Sequence, residues 1–203
     1  MTSRAGLTPE RVVEAALAIV DEAGLEGLTL AKVAQRTNVA TPSLYKHVAG
    51  LPALRRLLRL RVLTEFDHTL REALVGRSGE AALRALATAY RDYLRRHPHR
   101  AGLLETAPGD DPSLQAVSDR VVELAYTVVR GYGVTGTMAV HAVRCLRAAV
   151  HGFAQLEALG GFGLPAPVDV TFGHLVDMLH RQLTQLARPH PPPADEEAGP
   201  TTA

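Results

Sequence analysis

Cysteine and long apolar runs are scarce or absent in this chain of 203 residues, and each of these features excludes a class of protein. The single cysteine, Cys145, excludes an internal disulfide framework and an all-cysteine metal site. No apolar run approaches the roughly 20 residues that cross a bilayer. Residues 1–6 lack the apolar segment of a secretory signal. We therefore expect a cytoplasmic, globular protein with no membrane partner.

Acidic residues are absent between Leu30 and Thr64, although the net charge of the whole chain is only +1. An excess of one sign over such a stretch forms either an ordinary solvated helix face or a surface for a polyanion such as nucleic acid. The charge pattern alone leaves both interpretations open. The basic residues of this stretch are Lys32, Arg36, Lys46, Arg55, Arg56, Arg59 and Arg61.

Capping residues and apolar spacing predict an all-α fold of about nine helices. Thr8 is the expected N-cap of the first helix, which ends near Gly24. Thr29 caps a short second helix that ends near Asn38, and Thr41 caps a short third one. The remaining helices are predicted over residues 52–75, 80–96, 98–106, 112–131, 135–160 and 169–187.

The stretch 30–48 has the pattern of a helix-turn-helix. Ala34 is small where two helices must approach closely, and Asn38 tolerates the left-handed conformation that a chain reversal needs. Leu44 and Val48 give the second helix its buried side. The N-terminal end of such a helix enters the DNA major groove, where side chains reach the base edges.

Side chains on the solvent side of this helix are candidate DNA contacts. Thr41 and Ser43 can bond to several bases, and Pro42 can pack against a thymine methyl group. Tyr45 and Lys46 suit phosphates, which set the register without reading sequence. The full set of candidate DNA-binding residues is Thr29, Arg36, Thr41, Pro42, Ser43, Tyr45, Lys46, His47 and Arg55.

Residues 8–56 resemble the DNA-binding domain of the TetR family of transcriptional regulators, most strongly in Leu28-Thr29-Leu30, Val33-Ala34 and the string 41–48. The resemblance implies a homodimer that binds double-stranded DNA at a palindromic operator. It also implies a repressor that an unidentified small-molecule effector releases from that operator, with no cofactor. The implied domains are a DNA-binding domain at 1–50 and a helical ligand-binding and dimerisation bundle at 51–188. Residues 189–203 are rich in proline and acid and are predicted to be a disordered tail.

Two features bear on the details of this resemblance. Many family members carry a basic residue where this chain has Leu51, and Arg55 or Arg56 is the candidate substitute. The strings His151-Gly152-Phe153 and Leu156-Glu157 resemble a C-terminal subfamily with a His-Gly signature. A tryptophan commonly precedes that signature, and this chain has none.

Two further sets of residues are candidates for the C-terminal domain. A stripe with three- and four-residue steps suits either the core of its own domain or a dimer interface, and the resemblance favours an interface shared with the helix around 140–158. The stripe is Phe172, Leu175, Val176, Leu179, Leu183 and Leu186. The candidate pocket residues, each of which could also be core packing, are Tyr90, Tyr93, Met138, His141, Cys145, Phe153 and Gln155.

Other functions are disfavoured by the motifs present. His141 and Cys145 share a helix face, but His151 does not align with them, so we predict no metal site. No nucleophile elbow, phosphate-binding loop or dinucleotide fingerprint appears, so we predict no enzyme. The alternatives that remain are an enzyme on a helical scaffold and an adaptor that binds a protein partner through its helix-turn-helix.

Overall fold

A computed structural model describes residues 7–105 and 107–187, and over these ranges the chain forms nine α-helices and no strand. None of the described helices combines the length and apolar character needed to cross a membrane. The all-α prediction is confirmed for these ranges, whereas the tail predicted at 189–203 lies outside them. The helices are α1 (Pro9–Ala23), α2 (Leu30–Thr37), α3 (Thr41–Leu44), α4 (Leu51–Leu74), α5 (Gly79–Arg96), α6 (Ala101–Glu105), α7 (Pro112–Arg130), α8 (Gly136–Ala158) and α9 (Val168–Leu186).

The N-caps follow the sequence prediction at two helices and differ at a third. The hydroxyls of Thr8 and Thr29 each accept a hydrogen bond from the backbone N–H three residues on, at 3.3 and 3.2 Å. The prediction that Thr41 is a cap is wrong. Ala40 holds the extended N-cap position without a side-chain bond, and Thr41 is the first helical residue. The proline at the second position of α3 needs no hydrogen-bond acceptor, so this helix starts without a polar cap.

The third helix is also shorter than the periodicity of the sequence indicates. α3 has four residues, and the chain continues to Val48 in turns rather than in a helix. The His47 N–H donates to the Leu44 carbonyl at 2.8 Å, a three-residue step that tightens the backbone at the end of the helix. The helix predicted over 98–106 is likewise divided, into a 3₁₀ turn at Pro98–Arg100 and α6.

Helix α4 connects the two halves of the fold. Its first turns bury Leu54 and Leu58 beside α1, whereas its later turns bury Phe66 and Leu70 against α5 and α7. Helix α8 packs on α5 and α7, and α9 covers α5 and α8. The N-terminal three helices therefore form a small unit that the C-terminal bundle holds through α4.

A buried arginine makes a second connection between the two halves. Arg100 follows α5 and is 5% exposed. It donates two hydrogen bonds to Asp21 of α1, at 2.7 and 2.8 Å, and one to Glu65 of α4 at 2.9 Å. Burial alone would lower the pKa of Arg100, but its bonds to Asp21 and Tyr93 hold that pKa above its usual value. A permanent positive charge thus joins α1 to the C-terminal bundle.

Candidate nucleic-acid interface and ligand cavity

Helices α2 and α3 are joined by a tight turn in the geometry that the sequence predicts. Asn38 adopts the left-handed conformation, with φ 54° and ψ 45°, and its N–H donates to carbonyls at the end of α2. The Val39 N–H donates to the Ala34 carbonyl at 3.0 Å, and the small Ala34 side chain is buried. These bonds hold the start of α3 at a defined angle to α2.

The outer surface of this unit consists of α3 and the turn that follows it. Leu44 and Val48 are buried beneath that surface. Tyr45 is 60% exposed and Lys46 is also exposed, whereas Thr41 and Ser43 are half-buried at the start of α3. Within the described ranges no acidic side chain pairs with Lys46. Lys46 and Tyr45 therefore lie at the surface beside the hydroxyls of Thr41 and Ser43. The first two side chains suit phosphates, and the two hydroxyls suit base edges.

Pro42 is exposed and His47 half-buried beside this surface, whereas three other candidate DNA contacts are engaged in the folded chain. Arg36 forms a two-point ion pair with Glu22 at 2.6 and 2.7 Å, and this bond raises the pKa of Arg36 and lowers that of Glu22. The Thr29 hydroxyl caps α2, and Arg55 donates to the Leu25 carbonyl at 3.4 Å. Glu22 therefore offsets the charge that Arg36 would otherwise present to a phosphate.

Part of the basic run on α4 is directed at the C-terminal bundle rather than at solvent. Arg56 donates to Asp111 through Nε and Nη2, which raises the pKa of Arg56 and lowers that of Asp111. Arg59 donates to the Ala107 carbonyl at 3.0 Å. Arg56 is thus paired in the free chain, and its substitution for a basic residue at Leu51 stays a prediction. Both arginines tie α4 to the segment between α6 and α7.

A cavity of about 310 Å³ lies in the C-terminal bundle. Buried apolar side chains of α4, α5 and α8 form its inner part, among them Phe66, Leu86 and Leu146. Helix α7 forms a wall that includes Val122, and the segment after α6 closes one side with Ala107. A mostly apolar cavity of this size is large enough for one small organic ligand.

Of the seven candidate pocket residues, Tyr90 lines this cavity and the others do not. Met138, His141 and Cys145 lie on the exposed face of α8. The residue that follows each of them in the chain lies on the buried face instead, namely Ala139, Ala142 and Leu146. Tyr93 is buried against the ring of Phe66, 5.0 Å away. Phe153 packs against the ring of Phe172. Gln155 donates a hydrogen bond to Glu105.

The sequence carries no comparable signal for the α7 wall. Gln115, Ser118 and Asp119 line the cavity, as does Ala125 two turns further along the helix. Their steps of three, four and seven residues mark one face of a helix, but that face mixes polar and small residues. The pattern therefore resembles an ordinary half-exposed face, and α7 is recognised as a cavity wall only in the folded chain.

Three members of the apolar stripe on α9 face the core of their own domain, and the stripe as a dimer interface stays a prediction. Phe172, Val176 and Leu183 are each at most 5% exposed within one chain. The other three members are partly buried and pack against the same core, namely Leu175, Leu179 and Leu186. An inward stripe and an interface stripe share the same helical period, so spacing could not separate them. No group of three potential metal ligands occurs among the described residues.

Comparisons with known proteins agree with this architecture. Residues 83–179 match the family model described as tetracyclin repressor-like, C-terminal domain. The HTH-type transcriptional regulator YobS of Bacillus subtilis is 37% identical over 166 residues, which cover 80% of this chain and 85% of that protein. The regulator Rv0681 of Mycobacterium tuberculosis is 35% identical over 158 residues, or 77% of this chain and 72% of that protein. The fold matches the structure of SCO7222, a TetR from Streptomyces coelicolor, with TM-score 0.72, 22% identity and coverage of 90% and 100%.

Proposed function

The chain belongs to the TetR family of helix-turn-helix transcriptional regulators, and from that premise we propose that it is a cytoplasmic repressor whose operator binding is released by a small molecule. The exposed surface formed by α3 and the following turn carries this proposal. It presents Tyr45 and Lys46 to solvent while Leu44 anchors the backbone beneath them. The start of α3 enters the major groove, where Thr41 and Ser43 contact base edges.

The operator is palindromic because the chain acts as a homodimer. Two copies of α3 related by a two-fold axis bind half-sites about 34–36 Å apart. We assign the dimer interface to the outer faces of α8 and α9, which carry exposed apolar side chains. These include Met138, Leu156, Val170 and Met178, each about half exposed. Gly152 and Gly173 leave open space on the same two helices, so a second copy can approach closely.

A ligand in the cavity can change the position of the DNA-binding half through α4. Ala107 lines the cavity, and its carbonyl accepts the bond from Arg59 of α4. Asp111, four residues further on, holds Arg56 of the same helix. A ligand that displaces this segment moves both attachment points of α4. Release requires the ligand to bind the displaced state more tightly, by about 1–3 kcal/mol in typical cases.

Replacing Lys46 by alanine is expected to weaken DNA binding to nearly the same degree on every sequence. Lys46 has no acidic partner within the described ranges, so its charge is available to a phosphate. The slope of log K against log salt should fall by about 1 for each phosphate that the variant no longer neutralises. Fluorescence anisotropy over a salt series measures both effects. A weakening confined to particular base pairs would assign Lys46 to base recognition instead.

Replacing Thr41 or Ser43 by alanine is expected to change which operators are preferred. These hydroxyls lie at the start of α3, the end that reaches base edges in the groove. Removing a bond to a base costs about 1–3 kcal/mol at that position and little elsewhere. Selection from a randomised operator library measures this preference, with Lys46→Ala as the matched control. If both threonine and serine variants select the wild-type operator with unchanged stringency, α3 does not read the bases.

A further inference from the structure

The cavity is amphiphilic, with an apolar inner part and a polar mouth. Its inner part is formed by buried side chains such as Phe66, Leu86 and Val143. Its charged and amide-bearing lining residues are instead exposed, which shows that they stand where the cavity meets solvent. These residues are Glu105, Gln115, Asp119 and Arg147. A ligand that matches this lining has an apolar body and one polar end.

A chain of hydrogen bonds at the mouth occupies the donor groups of Tyr90 and His151. Tyr90 Oη and His151 Nδ1 are 2.8 Å apart, and His151 Nε2 is 3.1 Å from Glu105 Oε1. A neutral imidazole satisfies both contacts in one tautomer, in which Tyr90 donates to Nδ1 and Nε2–H donates to Glu105. Burial raises the pKa of Tyr90 to about 12, although Arg147 opposes the rise, so the phenol keeps its proton. Tyr90 and Glu105 therefore offer only acceptor lone pairs to a ligand.

The second carboxylate of the mouth, Asp119, can also accept a further hydrogen bond. Asp119 Oδ1 accepts from Gln115 Nε2 at 2.6 Å. Glu105 Oε1 takes a further bond from Gln155 at 3.1 Å. Within the described ranges no donor reaches the second oxygen of either carboxylate, and no arginine or lysine pairs with them. Each carboxylate thus keeps one oxygen free to accept a hydrogen bond from a ligand.

Arg147 is the cation of the mouth, and it offsets one of the two negative charges. It lies close enough to Tyr90 to oppose the rise in the pKa of the phenol. It also donates a hydrogen bond to the Leu104 carbonyl, near the end of α6, at 3.4 Å. The lining side chains carry two carboxylates and one guanidinium, which leaves a net negative charge of one. A donor with a single positive charge neutralises this excess, whereas an anion would add to it.

We propose that the cavity binds a small amphiphile with one protonated amine, its apolar body inside and its ammonium group between Glu105 and Asp119. This inference rests on the proposed function, in which the cavity is the effector site. The volume of about 310 Å³ is at the lower end of the range for ligand cavities and suits one compact molecule. An ammonium donates to the open carboxylate oxygens and offsets the excess negative charge of the lining.

Three probes share an apolar phenylalkyl chain and differ in the charge of their polar end: phenylhexylamine, phenylhexanol and phenylhexanoic acid. Their relative affinities separate the effect of charge from that of apolar contact. Isothermal titration calorimetry with the full chain is expected to give a Kd for the amine about tenfold below that of the alcohol, which is about 1.4 kcal/mol. The acid is expected to bind more weakly than the alcohol. Equal affinity for all three probes, tighter binding of the acid, or no binding of the amine at millimolar concentration overturns the proposal.

Charge-neutral variants show whether the mouth carboxylates cause the preference. In Asp119→Asn and in Glu105→Gln the advantage of the amine over the alcohol should fall at least about threefold. Glu123→Gln is the matched control, since Glu123 lies one turn from Asp119, pairs with Arg130 and does not line the cavity. Thermal unfolding checks that each variant is folded. An advantage that survives in both mouth variants overturns the assignment of the ammonium position.

DNA binding is measured separately, so that the two proposals fail independently. A chain that retards DNA without any probe, and releases it in phenylhexylamine but not in phenylhexanoic acid, supports both proposals. If it retards DNA and shows no preference for the amine, the ligand class is wrong and the regulator function stands. If the chain retards no DNA at all, the proposed function is wrong, whatever the calorimetry gives.

Discussion

Replacing Arg100 by methionine is expected to lower the free energy of unfolding by about 3 kcal/mol. Methionine keeps much of the side-chain volume but leaves Asp21 and Glu65 facing each other without a cation. Removing one partner of a buried ion pair costs about 3–5 kcal/mol. We expect the lower end of that range because the side chains of Asp21 and Glu65 are 32% and 28% exposed, so water screens part of the repulsion.

The Arg100 variant should also lose coupling between the two halves of the protein. Arg100 is bound to α1 and α4 at the same time, so its loss removes one of the two connections between α1 and the C-terminal bundle. Chemical denaturation measures the stability, and anisotropy measures DNA affinity with and without ligand. Arg96→Met is the matched control, because Arg96 is exposed and donates to a carbonyl on its own helix. A change below about 1 kcal/mol in Arg100→Met, equal to that of the control, would show that this network does not join the halves.

Replacing Leu44 by alanine is expected to cost about 2–5 kcal/mol of stability and most of the DNA affinity. Leu44 is fully buried, and it is the buried residue of a four-residue helix whose N-cap makes no side-chain bond. The packing of Leu44 therefore contributes more to the position of α3 than local hydrogen bonds do. When the side chain is truncated, Tyr45 and Lys46 lose their fixed place on the surface.

Denaturation and anisotropy again measure the two effects of Leu44→Ala. Leu164→Ala is the control with the same chemical change, because Leu164 is 84% exposed in the loop before α9. Its stability should stay within about 0.5 kcal/mol of wild type. A Leu44 variant that is destabilised but binds DNA with wild-type affinity would separate α3 from DNA binding.

Local signals explain the parts of the fold that the sequence predicts well. A threonine hydroxyl three residues before an N–H, as at Thr8 and Thr29, satisfies a backbone donor within one turn. Asn38 marks the reversal because few other residues adopt a left-handed conformation at low cost. Such features depend on neighbours in the chain, so they can be read without the tertiary structure.

Features that depend on distant parts of the chain could not be predicted in this way. The pair of Arg100 and Asp21 spans 79 residues, and that of Arg56 and Asp111 spans 55. A basic run on α4 looks the same whether it faces DNA or an aspartate in a distant segment of the chain. For the same reason, spacing does not distinguish the exposed face of α8 around Cys145 from a cavity wall, since helical period gives a face but not its partner.

Retardation of genomic DNA fragments by the purified full chain tests most directly whether α3 is a DNA-binding surface. We predict that some fragments are retarded in dilute buffer, that the affinity falls steeply with salt, and that Leu44→Ala abolishes the retardation. The bound fragments should contain two half-sites one helical turn apart. Failure of the folded wild-type chain to retard any fragment at low salt would contradict the role of α3 in DNA binding.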